Sequence, residues 1–490
     1  MSPSSHAVAE AYRAAVAPGC GIPFDMGPAD RLGRPAISVE HTDSTLRTPL
    51  RRNGCGYGAD EDAALLGALG ELAEGVLLTR HLTTAARVHG SYRELVAERG
   101  ADRVADPVSL VLEAGSGYRP DQPLTWVAAE RIRTGEEVLV PLEFALCDGR
   151  TADPPPGTGW LITPLTNGLG AGDTRARALA HGLLELLQRD GNATAHRAMD
   201  RGVVIDTDAV RDPVSRAVLA DLDAAGVRVV VKLADDQFRM AGLHVVGVDS
   251  DPDASPLLLT ACGEAAHPDR ETALRKALLE YTNSRARKVF SHGPLELAER
   301  LAPAGYLDRE LSVPVAPQEP RALAAMTAWT RLPAPALAAL LAPTVFAERS
   351  SVPFSTLPTV SPGSLNDPEA LLAELLDRLA EFDVLAVMAH GDGVHAVKVL
   401  VPGLEVETMS YHRIGGRGVR RLLERGLGLA GPGSPPHRGA LPVLLTERET
   451  ELLGGAAWFD TALADRMVGD LYPLYREPDR HAVVRVSEGR

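Results

Sequence analysis

The stretch Thr166-Asn167-Gly168-Leu169-Gly170-Ala171-Gly172-Asp173-Thr174, running on through Glu185-Leu186-Leu187-Gln188-Arg189-Asp190, decides how this chain is read. A glycine-rich turn leads into a helix that Asp173 or Thr174 can cap, because a side-chain oxygen there takes up an orphan backbone N–H. Such turns are frequent in glycine-rich chains. Glu185 is the informative residue. It has leucines on both sides, so its surroundings read as buried, and a buried carboxylate needs a cation or several donors. No lysine of the chain is followed by Ser or Thr, which excludes a Walker A loop.

Two more helices share this design. An alanine- and leucine-rich segment from Asp60 to about Arg80 carries Glu71 and Glu74, and one from about Asp269 to Val289 carries Glu280 and Asn283, followed by Ser284-Arg285. In the central helix the equivalent pair is Glu185 and Gln188, followed by Arg189. Each helix has glycine upstream or within its first turns, and a spacing of three puts both polar side chains on one face. A single pair of this kind marks a solvated face. Three converging carboxylate helices with arginines nearby can hold Mg²⁺ and a nucleotide triphosphate without a P-loop.

Outward from these helices, the sequence divides into an N-terminal segment (1–50), a core (51–300), a Pro/Ala-rich linker or helical insert (301–345) and a C-terminal part (346–490). Within 1–50, a short polar segment closes the stretch, at residues 40–48. Further helices are expected at 206–225 and 368–382. Strands are expected at 227–233, 243–248, 257–261, 383–388 and 395–401, with short apolar runs at 137–142 and 160–163 and a surface loop at 426–439. Helices and strands mix without strict alternation, which predicts an α+β fold.

The 490 residues are 45% hydrophobic, 23% charged and only 4% aromatic, a globular composition with an aliphatic core. Asp plus Glu (65) exceed Lys plus Arg (50), for a net charge of −15, which argues against nucleic-acid binding. Lysine occurs only at 232, 276, 288 and 398, so anion chemistry must lean on arginine, backbone amides or a metal. Cys20, Cys55, Cys147 and Cys262 form no CxxC pair and read as small buried hydrophobes. The N-terminus lacks a basic n-region and a long apolar h-region, and no apolar run reaches the ~18 residues of a membrane span, so a cytoplasmic protein is expected. His181 and His196 read as structural. Arg413, Arg417, Arg420 and Arg421 form a basic cluster that either starts a solvated helix or touches an acidic peptide or phosphate.

The same residues resemble the YcaO superfamily, over a match from Asp30-Arg31-Leu32-Gly33 to about residue 425. The first family motif, Ser-x-x-x-Glu-x-x-Glu-Arg, is present as Gly67-x-x-x-Glu71-x-x-Glu74-Gly75. The second, a Ser/Thr-Asn-Gly loop followed by Glu-x-x-Glu-Arg-Asp, is present as Thr166-Asn167-Gly168 and Glu185-x-x-Gln188-Arg189-Asp190. The third, Gly-x-x-x-His followed by Glu-x-x-Gln-Ser-Arg, is present as Gly263 to His267 and Glu280-x-x-Asn283-Ser284-Arg285, and Val397-Lys398-Val399-Leu400-Val401-Pro402-Gly403-Leu404-Glu405 fits the family's C-terminal strand.

The resemblance implies a YcaO-like fold of mixed sheets with glutamate-bearing helices around a nucleotide site. It implies ATP and Mg²⁺ as cofactors, with Glu71, Glu74, Glu185 and Glu280 on the metal and Asn167, Gln188, Arg189, Asn283 and Arg285 on the nucleotide. It implies O-phosphorylation of a backbone amide in a ribosomally made precursor peptide, a partner protein that recruits the substrate or delivers the nucleophile, and a homodimer. The sequence does not identify a catalytic residue that attacks the substrate. Many azoline-forming members end in Pro-x-Pro-x-Pro, whereas this sequence ends Val486-Ser487-Glu488-Gly489-Arg490, and Asp30–Gly33 resembles the group without that tail. Thioamide formation is therefore slightly favoured over an azoline-forming cyclodehydratase, amidine formation or amide hydrolysis. Gly67, Gly75 and Gln188 leave a non-catalytic scaffold or activator as an alternative. A metal hydrolase is disfavoured because no His/Glu zinc spacing occurs.

Overall fold

A computed structural model of the chain describes residues 5–43, 50–154, 159–251, 254–312, 315 and 319–489. The end of the polar segment expected at 40–48 and part of the 301–345 region lie outside the described residues. Among the described residues, helices and four sheets are mixed in an α+β arrangement.

The first sheet is antiparallel, in the order Phe24–Asp25, Ala36–Asp43, Leu50–Tyr57. The second runs Gly263–His267, Ala241–Asp249, Val227–Asp235, Val203–Asp206, Ser350–Pro353, and only its last pair is parallel. The third runs Val88–Ser91, Pro123–Arg131, Leu385–Gly391, Val394–Leu400, Leu169–Gly172, with Glu136–Pro141 paired to Pro123–Arg131. A small C-terminal sheet has the order Ala430–Pro432, Ala457–Asp460, Ala440–Val443.

Each of the first three sheets carries one carboxylate helix. Glu61–Thr84 lies on the first sheet, with Leu69, Leu72 and Val76 packed on Ile37 and Val39. Arg175–Asn192 lies on the third, with Leu183 and Leu187 against Val397 and Val399. Arg270–His292 lies on the second, with Leu274, Leu278 and Tyr281 against Val231, Leu243 and Val245. The helices start alike. The side chains of Asp60, Thr174 and Asp269 cap them, accepting from Ala63 N at 2.9 Å, Arg177 N at 3.2 Å and Glu271 N at 3.1 Å.

They also approach their strands alike. A Cβ at Gly56, Gly170 or Gly263 would come within 1.9, 2.2 or 2.0 Å of a helix carbonyl oxygen, so only glycine permits these contacts. The glycine-rich run after Asn167 is thus not merely a turn: Leu169–Gly172 is a strand paired with Val394–Leu400.

Three local expectations need correction. The apolar run 257–261 is not a strand but a buried 3-10 turn, Pro256–Thr260, and the strand follows it at Gly263–His267. Pro256, early in that turn, presets its backbone, and apolar content alone does not separate the two states. The helix expected at 206–225 spans Pro213–Ala224, capped by Asp212, after a strand that ends at Asp206. Residues 160–163 form bends rather than a strand, because the Glu143 carboxylate takes the N–H groups of Leu161 and Ile162 at 2.5 and 3.2 Å.

Residues 301–345 contribute the helices Tyr306–Leu311, Pro320–Trp329 and Ala334–Leu341. Met326, Trp329, Leu337 and Leu341 cover the face of the second sheet opposite the carboxylate helix.

Candidate functional site

The three helices bring their glutamates toward one cleft, and each glutamate is tied to the strand beneath it in the same way. Glu71 Oε2 accepts from Cys55 N at 2.7 Å, Glu185 Oε2 from Gly168 N at 3.0 Å, and Glu280 Oε2 from Glu264 N at 2.8 Å. Donor and acceptor are separated by 16, 17 and 16 residues. One oxygen of each carboxylate is thereby fixed by the backbone of a glycine-bearing strand or, at Gly168, of the turn residue just before one.

The electrostatics confirm the convergence. The Glu185 charge raises the carboxyls of both Glu71 and Glu74, although in each case burial is the larger cause. Glu71 is open to solvent yet crowded by protein, as on the wall of a deep cleft. Glu74 is only 9% exposed, and among the described residues nothing gives it a hydrogen bond or an ion pair. Its carboxyl stands well above the usual range, raised by burial and then by Glu185 and Glu71. Burial and the Glu264 charge push Glu280 up to about 7.

The cations of the cleft come from the same helices and one strand. Arg189 Nη2 lies 3.5 Å from Glu185 and its Nη1 3.6 Å from Glu264. Lys276 is in electrostatic reach of Glu280 and Glu185. Lys398, on Val394–Leu400, is 2% exposed and donates to the Leu165 carbonyl. Burial brings its amine down to about 8, against the opposing pull of Cys147, Glu185 and Glu74. The C-terminal segment closes one side. Glu477 takes Arg287 at 3.0 and 3.1 Å and His292 at 2.8 Å, and Arg480 reaches Cys55 Sγ at 2.9 Å.

Of the nucleotide-side residues read from the sequence, Arg189 and Gln188 are at the cleft, with Gln188 Nε2 donating to Glu264 at 3.3 Å. Asn167 is half-buried in the loop before Gly168, and Asn283 is buried with no partner for its Oδ1 among the described residues. Arg285 is the exception. It is 0% exposed and chelates Asp30 through Nε (2.7 Å) and Nη2 (2.9 Å) while Nη2 also reaches Asp249 at 2.9 Å. A guanidinium so enclosed and so bonded cannot face a phosphate, and its place in the structure is to fasten the Asp30–Gly33 segment to the third carboxylate helix.

The basic cluster is likewise bound within the protein. Arg417 and Arg421 hold the fully buried Asp190 at 3.0 and 2.5 Å, and Arg413 donates to the carbonyls of Val111 and Leu110. Arg420 alone of the four is exposed.

Sequence reading passed over Glu264 and Lys398, which are carried on strands. Glu264 is 8% exposed and meets Asn192 at 2.7 Å, His196 at 2.9 Å and Arg197 at 3.2 Å besides Arg189 and Gln188. These partners hold its carboxyl well below the usual range despite burial. The scarcity of lysine was the one signal that could have singled out Lys398.

Among the described residues, no group of three or more His, Cys, Asp or Glu side chains stands ready to hold a metal by itself. Mg²⁺ usually takes one or two carboxylates and completes its octahedron with phosphate oxygens and water. The unpartnered Glu74, with the second oxygen of Glu71, fits that donor set.

No helix among the described residues is long and apolar enough to cross a membrane. Residues 55–405 match the family described as YcaO cyclodehydratase, ATP- and Mg²⁺-binding. The chain is 28% identical over 324 residues to an uncharacterized protein of Methanothermobacter thermautotrophicus, covering 64% of this chain and 73% of the relative. It is 27% identical over 236 residues to an uncharacterized protein in the tfuA 3′ region of Rhizobium leguminosarum bv. trifolii, covering 47% of this chain and 54% of the relative.

The fold is shared with YcaO from Methanopyrus kandleri bound with AMPPCP and Mg²⁺, at a TM-score of 0.53 and 19% identity over 82% of this chain and 89% of that one. It is also shared with a heterocyclase in complex with substrate and cofactor, at a TM-score of 0.59 and 17% identity over 82% of this chain, which spans only 52% of the heterocyclase. Tethered glutamates, glycine-bearing strands and the match across residues 55–405 agree: the chain belongs to the YcaO family of ATP- and Mg²⁺-binding enzymes.

Proposed function

We propose that the cleft binds Mg²⁺ and ATP through the carboxylate helices and that the chain activates a backbone amide of a ribosomally made peptide. The observation that carries this reading is Glu74, a carboxylate nine-tenths buried, facing two other carboxylates and given no partner by any described residue. Ionised, such a group costs several kcal/mol, on the order of the effective desolvation penalty of a buried ion, unless a cation joins it; without one its raised carboxyl favours keeping a proton.

Glu71, Glu74, Glu185 and Glu280 would hold Mg²⁺, and Asn167, Gln188, Arg189 and Asn283 would meet the nucleotide. ATP bound there supplies a phosphoryl group that turns the amide oxygen into a leaving group. Arg189 offers its guanidinium to phosphate oxygens from a position fixed by Glu185 and Glu264. Lys398, with its amine near 8, can hold or give up a proton beside Glu74 and Glu185. Glu477 and Arg480 close the side of the cleft near Cys55.

The attacking group we favour is external sulfide, giving a thioamide, because Asp30–Gly33 resembles the segment of family members that include thioamide formers. A second reading, ring closure to an azoline, is supported by the family's description as a cyclodehydratase. Either reading calls for a precursor peptide and a partner protein that recruits it or delivers the nucleophile, and we extend the proposal to a homodimer.

The test is calorimetry with Mg²⁺ and a non-hydrolysable ATP analogue, on the natural protein and on Glu185→Ala. Binding by the natural protein that is lost in the folded variant is the expected result. A folded natural protein that binds nothing removes the catalytic reading for the isolated chain. Product mass then separates the chemistries, since a thioamide exchanges oxygen for sulfur whereas ring closure loses water.

A further inference from the structure

Outside the glutamate set, three histidines and an aspartate gather where the hairpin of Leu385–Gly391 and Val394–Leu400 turns. His390 and His395 stand directly opposite each other across that hairpin. Their Nδ1 atoms are 3.0 Å apart, and their rings are perpendicular with centroids 4.8 Å apart. The turn between them is tight. Asp392 and Gly393 both take left-handed backbone, with φ of 49° and 79°, which is the two-residue turn that suits a twisted hairpin. The spacing of the two nitrogens is therefore set by the strands as well as by the side chains.

Without a ligand the pair shares a single hydrogen bond, in which one Nδ1 donates and the other accepts. Two nitrogens bound side by side to one ion at about 2.0–2.1 Å lie about 2.8–3.4 Å apart, between right-angled and tetrahedral geometry. The observed 3.0 Å falls inside that interval, so both lone pairs can meet one ion with the strands left in place.

Further donors stand close by. His81, in the last turn of Glu61–Thr84, is in electrostatic reach of His390. Asp173 follows Gly172, the strand partner of His395, and is in electrostatic reach of His395. Burial and then the His390 ring lower the imidazoles of both His81 and His395, which keeps them neutral, the form that binds a metal. Arg175, the cation nearest His395, is turned to Glu130 at 2.5 Å. Among the described residues no group of three ligands is already assembled, so the third must swing in and water must complete the sphere. Imidazole donors select zinc and its neighbours, whereas the carboxylates of the cleft suit Mg²⁺.

We propose that His390 and His395 form a site for a divalent transition-metal ion of zinc's class, separate from the carboxylate cleft, with His81 as the third ligand. An ion held there staples the last turn of the first carboxylate helix to the hairpin whose second strand carries Lys398. The inference stands independently of the Mg²⁺–ATP reading.

The experiment titrates the full chain, free of any histidine tag and of nucleotide, with Zn²⁺ by calorimetry and with Co²⁺ by visible absorption. Binding of one Zn²⁺ per chain is expected, with a rise in the melting temperature. His390→Ala and His395→Ala should each weaken it by about tenfold or more, and His81→Ala by about threefold or more, with the melting shift reduced in all three. The three histidines are exposed or half-buried, so these variants should fold as the natural protein does. Glu185→Ala should bind Zn²⁺ as the natural protein does, and excess Mg²⁺ should not displace it. A natural protein that binds no Zn²⁺ overturns the proposal, as does affinity unchanged in any one of the histidine variants. Zn²⁺ that is lost in Glu185→Ala, or displaced by Mg²⁺, sits in the carboxylate cleft and overturns it equally.

Discussion

Glu74 and Glu264 are buried to nearly the same degree, 9% and 8% exposed, yet their surroundings act on them in opposite directions. Around Glu74 stand two carboxylates and, among the described residues, no bonded partner, and its carboxyl rises well above the usual range. Around Glu264 stand two arginines, a histidine and two amides, and its carboxyl falls well below that range. Burial alone therefore does not say what a carboxylate is for. Among the described residues the Glu264 carboxylate is matched by cations and amides, whereas Glu74 faces an excess of negative charge that a proton or an incoming cation relieves.

The comparison can be broken first by neutralising each residue in the ligand-free protein. Glu264→Gln takes the carboxylate from the partly buried Arg197 and one of two carboxylates from Arg189, which keeps Glu185, and should cost about 1–3 kcal/mol in denaturant unfolding. Glu74→Gln removes an unpaired buried charge and should be neutral or stabilising by about 1 kcal/mol, while weakening Mg²⁺–nucleotide binding. Equal losses in the two variants would show that the pockets do not differ as described.

A smaller effect, and a sharper one, is the sign of the pH dependence. The Glu264 carboxyl is depressed in the folded state, so its contribution is present above the unfolded value and is lost as pH falls through the folded one. The Glu74 carboxyl is raised, so its contribution is complete below the unfolded value and is lost as pH rises toward the folded one. Stability curves of the natural protein should flatten on the acid side in Glu264→Gln and on the neutral side in Glu74→Gln, by roughly 1.4 kcal/mol for each tenfold difference in proton affinity between folded and unfolded states that the substitution removes. Slopes of the same sign in both variants would contradict the contrast.

The smallest effect lies beside Glu74. In Gly75→Ala the new Cβ meets the end of the Arg52 side chain at 3.0 Å, a contact that a flexible tip can yield. Alanine gains up to ~1 kcal/mol over glycine in a helix, so a net change within about 1 kcal/mol is expected in thermal melting. A large loss would mean that Arg52 is held rigidly over that turn.

The helices were legible in the sequence because their signals are local. Glu71, Glu185 and Glu280 lie in leucine- and alanine-rich segments with caps and glycines at short range, and the structure brings them to one cleft. What was not legible depends on distant pairing. Glu264 meets Gln188 from 76 residues away, and Arg52 lies over Gly75 only because strand and helix approach closely. Arg285 followed its motif into the right helix, but its direction is set by Asp30, 255 residues away. The arginines at 417 and 421 read as a surface cluster because nothing nearby in sequence reveals that Asp190 waits for them in the interior. The run 257–261 was misjudged because a short apolar stretch fits a strand and a tight turn equally well, and only the following register separates them.

The tethers of Glu71, Glu185 and Glu280 to Cys55, Gly168 and Glu264 have a mechanical consequence. Each ties a cleft carboxylate to a different sheet with its own hydrophobic cluster. An ion or nucleotide shared by the three glutamates would act as a keystone, since loosening any one sheet would require releasing it. The amides of Cys55, Gly168 and Glu264 should then slow their hydrogen exchange together when the cleft is filled, and the loaded protein should melt as one body.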